Sequence, residues 1–347
     1  MKKIFLILFS PILIFSIFLI YAIQPSVDEK EFPLHHVIHF QENVIPVPKP
    51  TLTLATYNIG YASGEKNNKG AILTKEEVLY NLDKLALAIQ KMNPDVIGLQ
   101  EVDFKSYRSF DINQLLYLNQ KLGYPFAAYV VTWNKKYVAW PYWPLALHFR
   151  SVVSGQAVLS RYPIEQQELL HFEKPQDNAF WYNWFYLDRI AQKLTLTDGD
   201  QKIIAWNVHL EAFKQKTRNE QARILANAIR DLGKGVSQFV LGDFNSVSAY
   251  SENLKLEKIL KMEEDGEALK IILNTSQLHN AEPLEPVFTM PSWEAIKKID
   301  HILVDDFFTF LEGDNLQLTA SDHLPYWASF KKADFSTDGL EIPSRDK

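Results

Sequence analysis

The segment FVLGDFNS, Phe239 to Ser246, decides how the chain is read. Its apolar first half has the composition of a short buried strand, and Gly242 marks where the backbone can leave a sheet. Asp243 and Asn245 stand two residues apart, a spacing that turns both side chains to the same side at a strand end. A carboxylate and a carboxamide so placed can reach one reacting atom, which makes this stretch the candidate catalytic centre.

Other strands end in the same manner. Leu52 to Asn58 alternates and finishes in Asn58, and Asp95 to Leu99 is a buried apolar run followed by Gln100 and Glu101. Between them Thr74 and Glu77 form a capping box, and Val78, Leu82, Leu85, Ile89 and Met92 recur at helical spacing until Pro94. Asp111 to Leu122 reads as a second amphipathic helix, with Ile112, Leu115, Leu116 and Leu122 on one side and Gly123 as its stop. Ser154 to Arg161, Leu194 to Thr197 and Lys202 to His209 are strands, the last two joined through an Asp198-Gly199 turn. A third helix is expected to begin at Thr217, with Glu220 closing its box and Leu225, Ile229 and Leu232 facing inward. After a polar helical region over Ser251 to Leu273, Ile299 to Val304 and Ser321 to Pro325 introduce Asp300, Asp322 and His323 ahead of a strand to Phe330. His301 follows Asp300, and alternation turns it to the opposite face.

Composition bounds the chemistry. The 347 residues include no cysteine, which excludes thiol catalysis, a disulfide scaffold and thiolate-held metals, so any metal must be bound by oxygen or imidazole. A net charge of -6 provides no global positive field for duplex nucleic acid. Two lysines, Lys2 and Lys3, precede an apolar run from Ile4 to Ile23 that has no small-x-small site at its end. This predicts one N-terminal transmembrane helix with the rest of the chain outside the cytoplasm, a cleaved signal peptide and a secreted product being the alternative. Residues 24–50 read as a proline-containing linker with solvated His35, His36 and His39, residues 51–331 as the folded domain, and residues 332–347 as a disordered tail. Aromatic residues crowd Phe126 to Phe149 and Phe180 to Tyr186. They either pack on their own domain or face a lipid surface, since Trp and Tyr favour the bilayer interface. Lys135, Lys136 and Arg150 are basic residues within reach of a phosphate reading.

Taken in order, Thr56-Tyr57-Asn58, Gln100-Glu101, Asn207-Val208-His209, Gly242 to Asn245, Ile299 to Ile302 and Ser321 to Pro325 form a series that resembles the endonuclease/exonuclease/phosphatase superfamily. The resemblance spans Leu52 to about Phe330. It implies a four-layer α/β sandwich, two packed mixed or antiparallel sheets flanked by helices, with the site at the strand ends. It also implies a metal-dependent phosphoesterase. Glu101 suits Mg²⁺, with Mn²⁺ as the alternative, supported by Asn58 and Asp322. Asp243 would be the base for an attacking water, Asn245 its positioning neighbour, and His323 a transition-state donor oriented by Asp300. His209 would protonate the leaving group or bind phosphate, beside a phosphate-binding Asn207. The acidic balance, the anchor and the tryptophans favour a phospholipid or sphingolipid head group over duplex DNA. An extracytoplasmic nuclease and an inactive binding module of the same fold are the competing readings.

Overall fold

The computed structural model describes residues 2–42, 44, 49–67, 72–233, 235–248 and 266–333, with side chains from Pro11 onward. Helix α1 (Lys2–Ile23) occupies the stretch expected to form the anchor. No helix among the described residues is long and apolar enough to cross a membrane.

Two strand-helix-strand units occupy the centre. In the first, β2 (Thr51–Asn58) and β3 (Val96–Asp103) run parallel, joined by α2 (Lys75–Met92). The expected capping box opens α2: Thr74 Oγ1 accepts from the Glu77 N–H and the Glu77 carboxylate accepts from the Thr74 N–H. In the second, β8 (Gln201–His209) and β9 (Ser237–Asp243) run parallel, joined by α5 (Gln215–Arg230). Each parallel pair is extended by antiparallel strands. The first sheet runs β1 (His35–His39), β4 (Phe126–Val138), β5 (Arg150–Ser160), β3, β2, β13 (Tyr326–Lys332), β12 (Phe308–Asn315). The second runs β10 (His279–Asn280), β11 (Asp300–Val304), β9, β8, β7 (Ile190–Asp198), β6 (Ile164–His171).

The sheets pack face to face through Leu54, Val96, Phe239, Leu241, Ile302 and Phe330. Helices α2 and α3 (Gln114–Leu122) cover the first sheet, with Leu82, Leu85, Ile89, Leu115 and Leu118 against Tyr57, Ile97 and Leu99. Helices α5 and α6 (Glu267–Ser276) cover the second with Leu225, Ile229, Leu269 and Ile272. This is the two-sheet, helix-flanked α/β architecture that the motif series implies.

Several local expectations are corrected. Strand β9 continues through Gly242 to Asp243, and Gly242 is there for close approach: a Cβ would lie 2.0 Å from the Val208 carbonyl oxygen. Helix α3 starts at Gln114 on an Asn113 cap, which buries Leu115 and Leu118 and leaves Leu116 exposed. Helix α5 starts at Gln215, before Thr217, and has no side-chain cap; Glu220 instead pairs with Arg223. Most of the aromatic stretch after Phe126 is strand β4, and the histidines of the supposed linker form edge strand β1, in register with Phe126 to Val130. Much of the polar region expected over Ser251 to Leu273 and most of the expected tail lie outside the described residues.

Gly242→Ala must push the β8 backbone away. We expect a loss of about 1–3 kcal/mol of stability, the usual cost of overpacking, measured by urea denaturation. An unchanged midpoint would show that the strands separate without cost.

Candidate active site

Strand register brings the acid–base groups together. In β9, Asp243 lies opposite His209 on parallel β8 and opposite Asp300 on antiparallel β11. His323 arrives from the turn ahead of β13, which Ser321 ties to the end of β2 by donating to the Asn58 carbonyl at 2.8 Å. The His323 Nδ1 and Asp300 Oδ2 are hydrogen-bonded at 2.8 Å, and His323 Nε2 stands 3.8 Å from Asp243 Oδ2. His209 Nε2 approaches the same oxygen at 3.5 Å. Asn58 Nδ2 donates to Asp243 Oδ2 at 3.0 Å and to Glu101 Oε1 at 3.2 Å, stitching the two sheets together at their ends. Asn245 adopts a left-handed φ of 48°, so its backbone N–H caps Asp243 Oδ1 at 2.9 Å, and its Nδ2 donates to the Leu210 carbonyl.

Burial gives these groups unequal charge. Burial itself opposes a positive His323, but Asp300, then Asp243 and Asp322, outweigh it and raise the imidazole to about 10. His209 goes the other way: burial, then Arg189 and His323, hold it well below its ordinary value, so it is neutral. Burial and the Asp300 charge push Asp243 up, and burial and the Asp322 charge push Glu101 up. Asp300 pairs with His323, not with the neighbouring lysines, and His301 turns to the far face, where its Nε2 meets the Ser246 carbonyl.

Glu101 occupies a register break between β3 and β5 with φ of 55°, which swings its carboxylate out of the ladder. It meets Asp322 there: Asn67 Nδ2 donates to Glu101 Oε2 at 3.0 Å and to Asp322 Oδ1 at 3.1 Å.

Some expected site residues are placed elsewhere. Asn207 is buried beneath the site, its amide accepting from Gln100 at 2.7 Å and donating to the Ala157 carbonyl and Gln192, so the structure makes it a brace between sheets and not a phosphate ligand. Asn58 stays in the site, its donor nitrogen turned toward the Glu101 and Asp243 carboxylates while its Oδ1 accepts from the Gly60 N–H. Lys135 donates to the Ile23 carbonyl, Lys136 lies over Tyr21, and Arg150 stacks on Tyr107. Conversely, Arg189 went unread. It is buried in the wall of the same cavity, its Nε lies 3.8 Å from Glu211, and its Nε and Nη1 have no hydrogen-bond partner among the described residues. The one sequence signal for it is a cation at the head of the apolar strand β7.

The Endonuclease/Exonuclease/phosphatase family model matches residues 55–323, from the Thr56-Tyr57-Asn58 motif to His323 of the last one. The chain belongs to this family. No curated protein sequence matches it. Similar solved structures include a family member from Beutenbergia cavernae at 18% identity and TM-score 0.59, covering 82% of this chain and 72% of that one. Another, from Bacteroides thetaiotaomicron, has 17% identity and TM-score 0.56 over 82% of this chain and 98% of that one. A mannosyl-6-phosphatase of Bacteroides thetaiotaomicron VPI-5482 has 19% identity and TM-score 0.55 over 80% and 99%. At these identities the likeness establishes the fold.

Members of the endonuclease/exonuclease/phosphatase family are phosphoesterase hydrolases, generally dependent on a divalent metal. The donor set fits one. Glu101 and Asp322 are hard oxygen donors whose mutual repulsion a cation between them would relieve. Asp243, Asp300 and His323 also offer ligand atoms within 4.8 Å of one another. In that cluster His323 Nδ1 is hydrogen-bonded to Asp300 Oδ2 at 2.8 Å.

Replacing Asp300 by Asn removes the partner that keeps His323 charged. The His323 ring, followed by NMR, is expected to titrate near 10 in the parent chain and toward the ordinary value of about 6.5 in Asp300→Asn. Because the folded-state value is raised, the stability this pair contributes is present below about pH 6.5 and lost as pH rises through about 10. An unmoved titration would remove Asp300 from this role.

Proposed function

We propose that the protein is a Mg²⁺-dependent phosphoesterase that cleaves a phospholipid or sphingolipid head group outside the cytoplasm, held to the membrane by its N-terminal apolar run. The observation that carries the catalytic part is the register of β9, which sets Asp243 between neutral His209 and Asp300, the partner of the charged His323.

Asp243, oriented by Asn58 and the Asn245 N–H, takes the proton of an attacking water. The His323 imidazolium, fixed by Asp300, donates to the phosphoryl oxygens as negative charge grows on them. The buried Arg189 guanidinium, with donors to spare, is placed for the same oxygens. His209, held neutral, hydrogen-bonds the phosphoryl group as the P–O bond to the leaving alcohol breaks. The departing oxygen takes its proton from the His323 imidazolium, which the proton gathered by nearby Asp243 restores. Glu101 and Asp322 would hold the cation, which supplies charge neutralisation at the phosphate. The lipid preference rests on the aromatic walls of the cavity, on the net charge of -6, and on the lysine-flanked apolar run.

The test is hydrolysis by the purified full chain of sphingomyelin, phosphatidylinositol phosphates, a phosphosugar and plasmid DNA, each with Mg²⁺ or EDTA. Mg²⁺-dependent lipid cleavage is expected, with Asp243→Asn slower by about 10²–10⁴. DNA cleavage with lipids untouched would replace this reading by a nuclease, and no cleavage at all by a binding module. For orientation, protease added to sealed right-side-out vesicles should digest the domain. Full protection would reverse the assignment.

A further inference from the structure

The cavity with His209, Asp243 and His323 at its floor has a volume of about 2000 Å³. Small-molecule sites run to about 300–1,000 Å³, so a phosphorylated head group leaves much of the space unfilled. Most of the remaining surface is apolar, with Lys174, Asp177, Lys214, Lys216 and Glu220 in the charged part of the lining. One wall is α1, through Phe15, Phe18, Leu19 and Ala22, and the helix is fixed there: Phe18 packs edge-on against Tyr137 of β4 at 5.3 Å, and Ala22 is buried. The facing wall comes from the loop after β4, with Trp140 and Tyr142, and from helix α4 (Phe180–Asn183), with Trp181 and the following Trp184. At the rim Phe180 and Phe213 are 71% and 79% exposed, and Trp143, next to the lining Tyr142, is 77% exposed.

We propose that α1 and these aromatic segments form a channel for the hydrocarbon tail of a phospholipid from the bilayer in which the chain is anchored, with its phosphoester at Asp243. This rests on the lipid phosphoesterase reading above and adds that the anchor helix is itself a wall of the substrate site. Three observations select the occupant. The floor gathers groups suited to a phosphoryl group and the walls are mostly apolar, which matches an amphiphile better than a sugar or a nucleotide. Three aromatics of the lining have their polar atoms consumed internally: Trp133 Nε1 donates to the Phe185 carbonyl at 2.7 Å, Tyr137 Oη is hydrogen-bonded to His148, and Tyr186 Oη donates to Glu211. A bound peptide would leave its backbone amides unpaired against such walls, whereas a hydrocarbon chain has no polar groups to satisfy. Finally, the cavity-lining part of α1 is the C-terminal half of the apolar run, so with the run in the bilayer the Trp-rich rim sits at interface depth and a tail reaches the floor without crossing water.

The test compares ethyl and hexadecyl p-nitrophenyl phosphate as substrates for the full chain in bilayer nanodiscs, alongside tryptophan quenching by a hexadecyl phosphonate brominated along its chain. The parent protein should cleave the hexadecyl ester with a kcat/KM at least about 100-fold higher, and this ratio should fall at least about tenfold in Phe18→Ser/Trp181→Ser. Quenching should be strong in the parent and lost in the double variant. Equal rates on the two esters, or a ratio unchanged in the variant, would overturn the channel. Quenching without hydrolysis of either ester would support the channel while removing the phosphoesterase reading; absence of quenching with both esters cleaved would do the reverse.

Discussion

Convergent negative charge in a buried place is the constraint around which this site is built. Asp243, Asp300, Glu101 and Asp322 meet at the ends of strands from both sheets, where water is scarce and uncompensated carboxylates are costly. The protein answers with a fixed imidazolium at His323, with side-chain and backbone donors from Asn58, Asn67 and Asn245, and with two carboxyls pushed toward their protonated forms. The arrangement cannot relax by moving apart. Behind it the sheets approach so closely that a Cβ on Gly98 would fall 2.0 Å from Leu241, and Asn207 ties Gln100, Gln192 and the Ala157 carbonyl together. The electrostatic stress therefore remains at the strand ends, ready to be relieved by a cation or used on a substrate.

How far this was legible in the sequence depends on which physical signal each residue leaves. Asn58, Asp243 and Asp300 end or begin apolar runs whose period of two fixes their side, and the motif order then supplied Glu101, Asp322 and His323. The same alternation correctly turned His301 away. Asn207 shows the limit: its type and place match the motif, yet its direction is set by inter-sheet packing that no local pattern records. Arg189 was missed because it precedes its strand in a loop crowded with aromatics, and its role comes from tertiary burial. Edge strand β1 was hidden because three histidines in a proline-containing stretch carry no strand period, while β4 offers them an open edge. The left-handed turn at Glu101 was equally invisible, since nothing about a glutamate announces a bulge.

The aromatic segments illustrate a different rule. Composition alone divided them between packing on the domain and facing lipid, and in the fold some pack within the domain while others are exposed. Trp133 and Tyr137 belong to β4 and satisfy their polar atoms within the protein, while Trp143, Phe180 and Phe213 project outward at the mouth of the cavity. A continuous apolar surface thus leads from the exterior to a charged floor, with α1 along one side.

At that floor, two histidines flank one carboxylate in opposite states. His323 lies against Asp300 and is charged; His209 lies on the side of Arg189 and is neutral. If both were charged, Asp243 would be held as a weak base between two cations. If both were neutral, Asp243 and Asp300 would repel one another and a carboxyl would protonate, again ending its use as a base. One of each leaves Asp243 raised above the ordinary carboxylate range by burial and the Asp300 charge, and gives the pocket a donor for developing negative charge on one side and an uncharged partner on the other. The difference is enforced by what lies beyond each ring, an acid behind His323 and a guanidinium beside His209, so the division of labour resides in Asp300 and Arg189 as much as in the histidines.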